Sequence, residues 1–428
     1  MNRNSFWAAI SRASVVATSV LIITLISAPG AAAAGKYKTL YRFTGGEDGA
    51  QPLAGLVFDE LGALYGTASQ GGNLANCNGY GCGVVFKLTP NPDGSWSESV
   101  LYEFCSLANC DDGANPFAGL TIDKSGNLYG TTYGGHRDGI VFKLTPNLDG
   151  SWTESVLYEF CSLANCDDGA DPFGRPIFDA AGNLYGTAGW GGGDSNAGVV
   201  FELTPNPDGS WSESTLYTFT GGKDGWRPLA GLTIDGAGNL YGTTNQGGNL
   251  SYCGGEGCGV VFELTPRANG SWKQSVLHRF TDKDGSGPWA GVTVDGRGNL
   301  YGTAEKGGAH GFGVVFGLTL SDGKWTKRTL HQFGGWNDGA FPEGDLLLDP
   351  AGKLYGTASW LGRYGFGVVF ELSLGADGRW REHVLHTFKN RPGASPAGAL
   401  IFDQAGNLYG TSEGNSQTTF GSVFELTP

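Results

Sequence analysis

The chain has 428 residues, of which 75 are glycine, 12% aromatic and only 16% charged, with a formal net charge of −14. Glycine at about one residue in six, against roughly 7% in ordinary proteins, comes with abundant aromatics and no collagen period, which excludes a triple helix and a disordered chain. The acidic balance argues against nucleic acid or an anionic membrane surface as a partner.

Residues 1–34 read as a cleaved export signal. Arg3 and Arg12 supply a positive region, Val15–Ala28 is an uncharged apolar stretch, and Ala31–Ala34 offers a small-residue cleavage site. The stretch is shorter than the ~20 residues of a membrane span. The expectation is a secreted monomer, extracellular or periplasmic, with no membrane insertion and a single domain over 35–428.

The first element after the signal, "KYKTLYRF" (Lys36–Phe43), matches the last strand of later units, such as "SVLYEF" (Ser99–Phe104). Seven units follow. In the second, "AGLTID" (Ala118–Asp123) alternates apolar and polar residues as a strand does, "KSGN" is a turn, and "LYGTT" begins the returning strand. A variable Gly-rich loop leads to a third strand, "GIVFKLTP" (Gly139–Pro146). The turn "NLDG" and an outer strand, "SWTESVLYEF" (Ser151–Phe160), complete the unit. Leu-Tyr-Gly-Thr recurs at Tyr65, Tyr129, Tyr185, Tyr241, Tyr301, Tyr355 and Tyr409, at intervals of 54 to 64 residues. The last unit stops at a third strand, "GSVFELTP" (Gly421–Pro428), which leaves Lys36–Phe43 to complete it. The pattern predicts an all-β, seven-bladed β-propeller with four antiparallel strands per blade. Pairing of the N-terminal strand with the last blade closes the ring and removes a lone edge.

Each repeated Tyr follows an aspartate by six residues: Asp59, Asp123, Asp179, Asp235, Asp295, Asp349 and Asp403. In "D-x-x-G-N-L-Y" the Asp suits backbone amides of the turn and the Gly a positive φ, so the phrase reads as hairpin chemistry. Trp96, Trp152, Trp211, Trp272, Trp325 and Trp380 follow the outer turn and read as blade-packing residues. That turn resembles the sialidase Asp-box, but its spacing differs by one residue and no arginine cluster or tyrosine nucleophile accompanies it. His278, His331 and His386 fill the slot of Tyr102, Tyr158 and Tyr217, which assigns them to packing.

The eight cysteines form four C-x4-C pairs: Cys77/Cys82, Cys105/Cys110, Cys161/Cys166 and Cys253/Cys258. In an exported chain this pairing predicts disulfides. Zinc sites prefer spacers of two to four residues with a second ligand pair nearby. Closing so small a loop removes little chain entropy, so the bridges are expected to shape loops more than to stabilise the fold.

The phrases "GNLYGTT" and "GVVFELTP", spaced in tandem over essentially the whole mature chain, resemble the GloVer (Gloeobacter/Verrucomicrobia) tandem-repeat family of exported bacterial proteins. The "D-x-x-G-N-L-Y" hairpin is also similar to NHL-type propeller repeats. The resemblance implies a surface or secreted repeat protein with no assigned activity. Family members carry varied C-terminal anchors, and this sequence departs from them by ending at Pro428 without a sorting tail.

Positions that are constant between units serve the scaffold, and those that vary are free for function. The uniform turns share one face of a propeller. The variable second-to-third-strand loops and the blade-to-blade segments share the other, with all four cysteine pairs. Near the mouth on that face, Arg175 and Asp345 stand where most units have Gly, and Glu343 stands where others have an apolar residue. Rule-breaking positions are functional candidates. Trp190, Trp226, Trp289, Trp336 and Trp360 lie on the same side and suit stacking on sugars or peptides. Asp48, Asp112, Asp168, Asp224, Asp284 and Asp338 recur in the blade-to-blade segments. They read either as turn caps or as a ring for Ca²⁺, which takes clustered oxygens. The functional reading is a scaffold that binds an extracellular glycan or protein through the loop face bearing the cysteine pairs. Its alternative is a hydrolase, lactonase or polysaccharide-cleaving enzyme at the channel mouth, metal-assisted in one version.

Overall fold

Every letter of the repeated Leu-Tyr-Gly-Thr phrase has a partner in the computed structural model, which describes residues 36–390, 393–414 and 419–428. The segment read as an export signal lies outside the described residues, which contain no α-helix and no helix long and apolar enough to cross a membrane. They form seven antiparallel sheets, each with the short strand innermost and strands following in chain order. The seventh is a composite: Lys36–Arg42 pairs with Ser422–Thr427 in the register Lys36↔Thr427 to Arg42↔Ser422. Ring closure by the N-terminal strand is therefore as the sequence predicts.

The leucines, Leu64, Leu128, Leu184, Leu240, Leu300, Leu354 and Leu408, are all fully buried. Each tyrosine hydroxyl donates to the aspartate six residues earlier, at 3.0 to 3.3 Å. The other oxygen of that carboxylate accepts turn amides, as when Asp123 takes those of Ser125 and Asn127. Each glycine lies under a phenylalanine of the third strand. A Cβ on Gly66, Gly130 or Gly186 would come within 2.6, 2.5 and 2.4 Å of Phe86, Phe142 and Phe201, closer than any side chain tolerates. Each threonine reaches the next blade. Thr67, Thr131, Thr187, Thr243, Thr303, Thr357 and Thr411 donate to backbone carbonyls of Ala118, Gly174, Ala230, Ala290, Gly344, Gly398 and Ala54, at 2.7 to 3.4 Å. The last of these closes the circle from blade seven to blade one.

The outer-turn tryptophans pack as expected, each edge-on to the repeated tyrosine of the preceding blade. Trp152 meets Tyr65 at 6.1 Å, and Trp96 meets Tyr409 across the closure at 6.4 Å. Phenylalanines at the ends of the outer strands wedge against the following blade, as Phe104 does against Phe142 at 5.1 Å. The apolar core is thus distributed as clusters between neighbouring blades, such as Tyr65 and Val85 of blade one with Leu128 and Phe142 of blade two.

One element is shorter than its alternation predicts. In place of a strand over Ala118–Asp123, only Thr121–Ile122 joins the ladder. The preceding residues leave their own sheet because Ala118 offers its carbonyl to Thr67 of blade one and the segment lines the channel.

All four predicted disulfides are formed: Cys77–Cys82, Cys105–Cys110, Cys161–Cys166 and Cys253–Cys258. Two of them also reach into the core. Cys82 and Cys258 are each only 1% exposed, so their sulfurs are core atoms. Cys258 packs in one cluster with Tyr241, Val261 and Phe280, and Cys82 packs in another with Tyr65, Val85 and Phe104. The cause is position. Each lies two residues before its third strand, Val260–Pro266 or Val84–Pro90, where the chain passes under the next blade. There the Cys258 carbonyl accepts the amide of Gly287 at 3.0 Å, and that of Cys82 accepts the amide of Asn115 at 2.7 Å. These two bridges therefore tie an outer loop to the junction between blades.

Candidate functional site

The seven segments that enter the blades run towards the axis on one face, and each passes an invariant proline. The residue before it has left-handed backbone in every blade: Gln51, Asn115, Asp171, Arg227, Phe341 and Ser395 at φ between 53° and 61°, and Gly287 at 61°. This is a sparsely populated conformation for non-glycine residues and persists only where surrounding contacts dictate it. Here backbone bonds do so. Arg227 donates its amide to Ala197 of blade three at 3.0 Å and accepts from Asn245 of its own blade at 2.9 Å. With the main chain occupied by the clasp, the side chains at this position are free to differ.

Below this rim a central cavity of about 610 Å³ follows the axis. Its walls include Leu53, Phe117, Phe173, Leu229, Trp289, Glu343 and Ala397 on one tier, and Gly55, Gly119, Arg175, Gly231, Asp345 and Ala399 on the next. Arg175, Glu343 and Asp345, singled out separately in the sequence, therefore line one cavity together with Trp289. Asp345 Oδ1 accepts the amide of Gly291 at 2.7 Å. Glu343 Oε1 accepts from Ser359 Oγ at 3.2 Å. Burial, reinforced by the charge of Glu305 and to a lesser degree Glu413, raises the Glu343 carboxyl to about 7. Burial also raises Glu413. Trp289 donates its indole N–H to Glu305 at 2.6 Å, which fixes a half-exposed ring at the cavity edge.

The opposite wall is aromatic. Phe117 and Phe173 stack at 5.5 Å, and Tyr133 tilts against Phe173 at 4.8 Å. At the rim beside them, the Arg227 guanidinium lies 3.8 Å from the Trp190 ring and 5.2 Å from that of Trp226, a cation–π arrangement. Desolvation by that burial lowers the Arg227 pKa. Asp171, beside Asp138, is raised to about 7 by burial and then by its neighbour's charge.

The remaining sequence candidates fall elsewhere. Trp336 and Trp360 are 87% and 56% exposed and do not line the cavity. None of the eight cysteines lines it either, and Cys82 and Cys258 are sealed within blade junctions, so the bridges brace the loop face without supplying the wall of the site. The six blade-entry aspartates do not converge. Asp48, Asp112, Asp168 and Asp224 accept from Tyr41, Tyr102, Tyr158 and Tyr217 at 2.8 to 3.0 Å, and from the backbone amide of a nearby Thr or Ser. Asp284 and Asp338 lie 2.9 and 3.3 Å from His278 and His331. Each carboxylate is thus engaged as a turn cap within its own blade junction. Among the described residues, the two groups with three metal-ligand side chains close enough to share an ion both rest on disulfide sulfurs: Cys82, Cys105 and Cys110, and Asp138, Cys161 and Cys166. The geometry favours the turn-cap reading over a Ca²⁺ ring.

Sequence reading missed the column before the invariant proline, which holds Asp171 and Arg227. It also missed the column two residues after the repeated threonine, which holds Tyr133, Glu305 and Glu413. Aligning the seven units by register exposes both columns, because each differs in chemistry from blade to blade beside an invariant neighbour.

A closed ring of seven antiparallel sheets, six of four strands and one with a fifth short strand at Ala170–Pro172, around a channel with its variable side chains gathered at one mouth, defines a seven-bladed β-propeller. The chain belongs to the Gloeobacter/Verrucomicrobia repeat family, whose model matches residues 29–167, 137–267 and 250–428. No curated protein matches it significantly. Among solved structures, it is similar to a fungal alcohol oxidase of the AA5 family in complex with copper (15% identity over 92% of this chain and 77% of that one, TM-score 0.51). It also resembles a putative 6-phosphogluconolactonase from Bacteroides uniformis (15%, 77% and 83%, TM-score 0.49). A third, PorZ of Porphyromonas gingivalis, is a surface component of the type-IX secretion system (13%, 87% and 46%, TM-score 0.49). At these identities the likeness is one of fold alone.

Proposed function

We propose that this protein is an exported propeller that binds a glycan in the mouth of its central channel. The observation that carries the reading is one cavity lined both by the aromatic side chains of Trp289, Phe117 and Phe173 and by the polar groups of Arg175, Glu343 and Asp345. Aromatic faces accept the C–H face of a sugar ring, while carboxylates and a guanidinium bond its hydroxyls. A volume of about 610 Å³ lies in the range of small-ligand sites, roughly 300–1,000 Å³. Export is supported by the four disulfides, which persist in oxidising compartments, and by the signal-like segment at residues 1–34. A glycan array probed with the labelled protein tests the reading, with Trp289→Ala as control. Absence of binding to every glycan rules it out.

A second reading, catalysis, is favoured by a separate observation. Arg175, Glu343 and Asp345 share the cavity, and Glu343, raised to about 7, holds a proton near neutrality as a general acid does. Release of reducing ends from polysaccharides, abolished by Glu343→Gln, distinguishes a cleaving enzyme from a binding protein.

A further inference from the structure

Arg175 belongs to blade three and Asp345 to blade six, three blades apart on a ring of seven, so they face each other across the channel from nearly opposite sides. Both occupy the tier where the other blades carry Gly or Ala, and both side chains lean over the glycine of the preceding blade. The Arg175 stem rests on Gly119, where an added Cβ would stand 3.5 Å from Arg175 Cδ. Asp345 reaches the amide of Gly291. There the likeness ends. Asp345 is anchored by its hydrogen bond, whereas no described residue is a hydrogen-bond or ion-pair partner of the Arg175 guanidinium. Two opposite charges thus project into one cavity without meeting, and the cationic one offers its five N–H donors to whatever enters.

We propose that the glycan bound here carries a carboxylate, as a uronic acid does, and that Arg175 receives that carboxylate while Asp345 and Glu343 accept hydroxyls on the far side of the ring. This rests on the glycan reading above and specifies the sugar. A guanidinium matches a planar carboxylate in a two-bond fork. The cavity itself holds two acidic side chains against this one arginine, and a tetrahedral sulfate ester, whose charge is spread over three oxygens of which the fork engages two, would turn its third towards them. Trp289, beside Glu343 in the same wall, supplies the face on which the ring stacks.

The test is calorimetric titration of the full chain with tri-galacturonate, its neutral methyl ester, and a sulfated galactose trimer. The expected result is that the acid binds roughly 10- to 100-fold more tightly than the ester, the range of a charge-assisted pair. Arg175→Met abolishes that difference, Arg175→Lys restores part of it, and the sulfated trimer binds more weakly than the acid. Equal affinity for acid and ester, or an acid preference that survives Arg175→Met, overturns the proposal while leaving a glycan-binding protein. Tighter binding of the sulfated trimer overturns the choice of carboxylate. If none of the three probes binds, the uronate proposal falls, and the array decides separately whether the glycan reading stands.

Discussion

The ammonium of Lys327 lies 3.6 Å from Asp284 Oδ2, with a side chain only 6% exposed, in the slot that other blades give to glutamate. Glu98, Glu154, Glu213 and Glu382 hold the same place on the outer strand, facing Asp48, Asp112, Asp168 and Asp338 of the neighbouring junction. Gln274, the neutral version, donates to the Asp224 carbonyl at 3.2 Å. In four junctions two carboxyl groups are therefore held together, in one an amide meets the aspartate, and in one an ammonium does.

Stability should fall as pH rises through neutrality. Burial first, and the charge of a neighbouring aspartate after it, raise Glu98, Glu154 and Glu213 to about 7, and burial with Asp338 outweighs the opposing charge of His331 to do the same for Glu382. A carboxyl raised on folding binds its proton more tightly in the native state. Its contribution is present below the unfolded value, roughly 4.3, and is lost as pH rises through about 7. At the acid end the turn aspartates act in the opposite sense. Burial raises Asp123, but bonds from Asn127, Tyr129 and turn amides outweigh it and hold the group low, so its contribution is lost as pH falls. The thermal midpoint should peak in mildly acidic buffer and decline from about pH 5.5 to 8. Glu154→Lys, which copies Lys327, should reduce the decline. A midpoint that is flat or rises over that interval contradicts the account.

The threonine clasp should be measurable one bond at a time. Thr243→Val keeps the side-chain shape but leaves the Ala290 carbonyl without its 2.7 Å donor. An unsatisfied buried acceptor costs about 1–3 kcal/mol. Urea denaturation should register that loss, and Thr243→Ser should recover most of it. Equal midpoints for Val and Thr would remove the clasp from the list of forces that hold the ring.

Two glycines only four residues apart should fail for different reasons when changed to alanine. At Gly242 an added Cβ would stand 2.6 Å from Phe262 and 2.9 Å from Leu232, so the blade must move apart, at about 1–3 kcal/mol. At Gly238 the space is open, with Pro266 at 4.0 Å, but φ is +83°. Left-handed backbone costs an alanine about 1–2 kcal/mol. Shortening Phe262 to Leu beside Gly242→Ala should relieve the first defect, and the same Phe262→Leu change should do nothing for Gly238→Ala. Equal behaviour of the two double variants rejects the distinction.

Exposed tryptophans should divide by position rather than by exposure. Trp336 is 87% exposed and outside the cavity, while Trp289 is 40% exposed and part of its wall. Trp289→Ala should lower affinity for any bound glycan by about tenfold or more, and Trp336→Ala should leave it within about twofold, as read by tryptophan-fluorescence titration. The reverse order would move the binding surface off the channel.

The sequence by itself determined the blades. Period, turn residues and alternation are local properties, and a strand or hairpin is specified within the few residues that form it, so seven units, their hairpins, the disulfide pairing and the N-terminal closure could all be read in advance. It also marked Arg175, Glu343 and Asp345, because a charge in a column of Gly or apolar residues stands out in a repeat. What it left open was company. Trp336 and Trp289 look alike in sequence, and so do an aspartate that caps a turn and one that holds an ion. Cys253 and Cys258 look alike too, yet only Cys258 is buried in the junction core. Only closing the ring brought residues from seven distant segments to one axis. Closure set Phe117 and Phe173 opposite Glu343, gave Asp345 the amide of Gly291, and left Arg175 facing the cavity without a described partner. Those outcomes depend on distances between residues remote in the chain, and the closed tertiary structure is what fixes them.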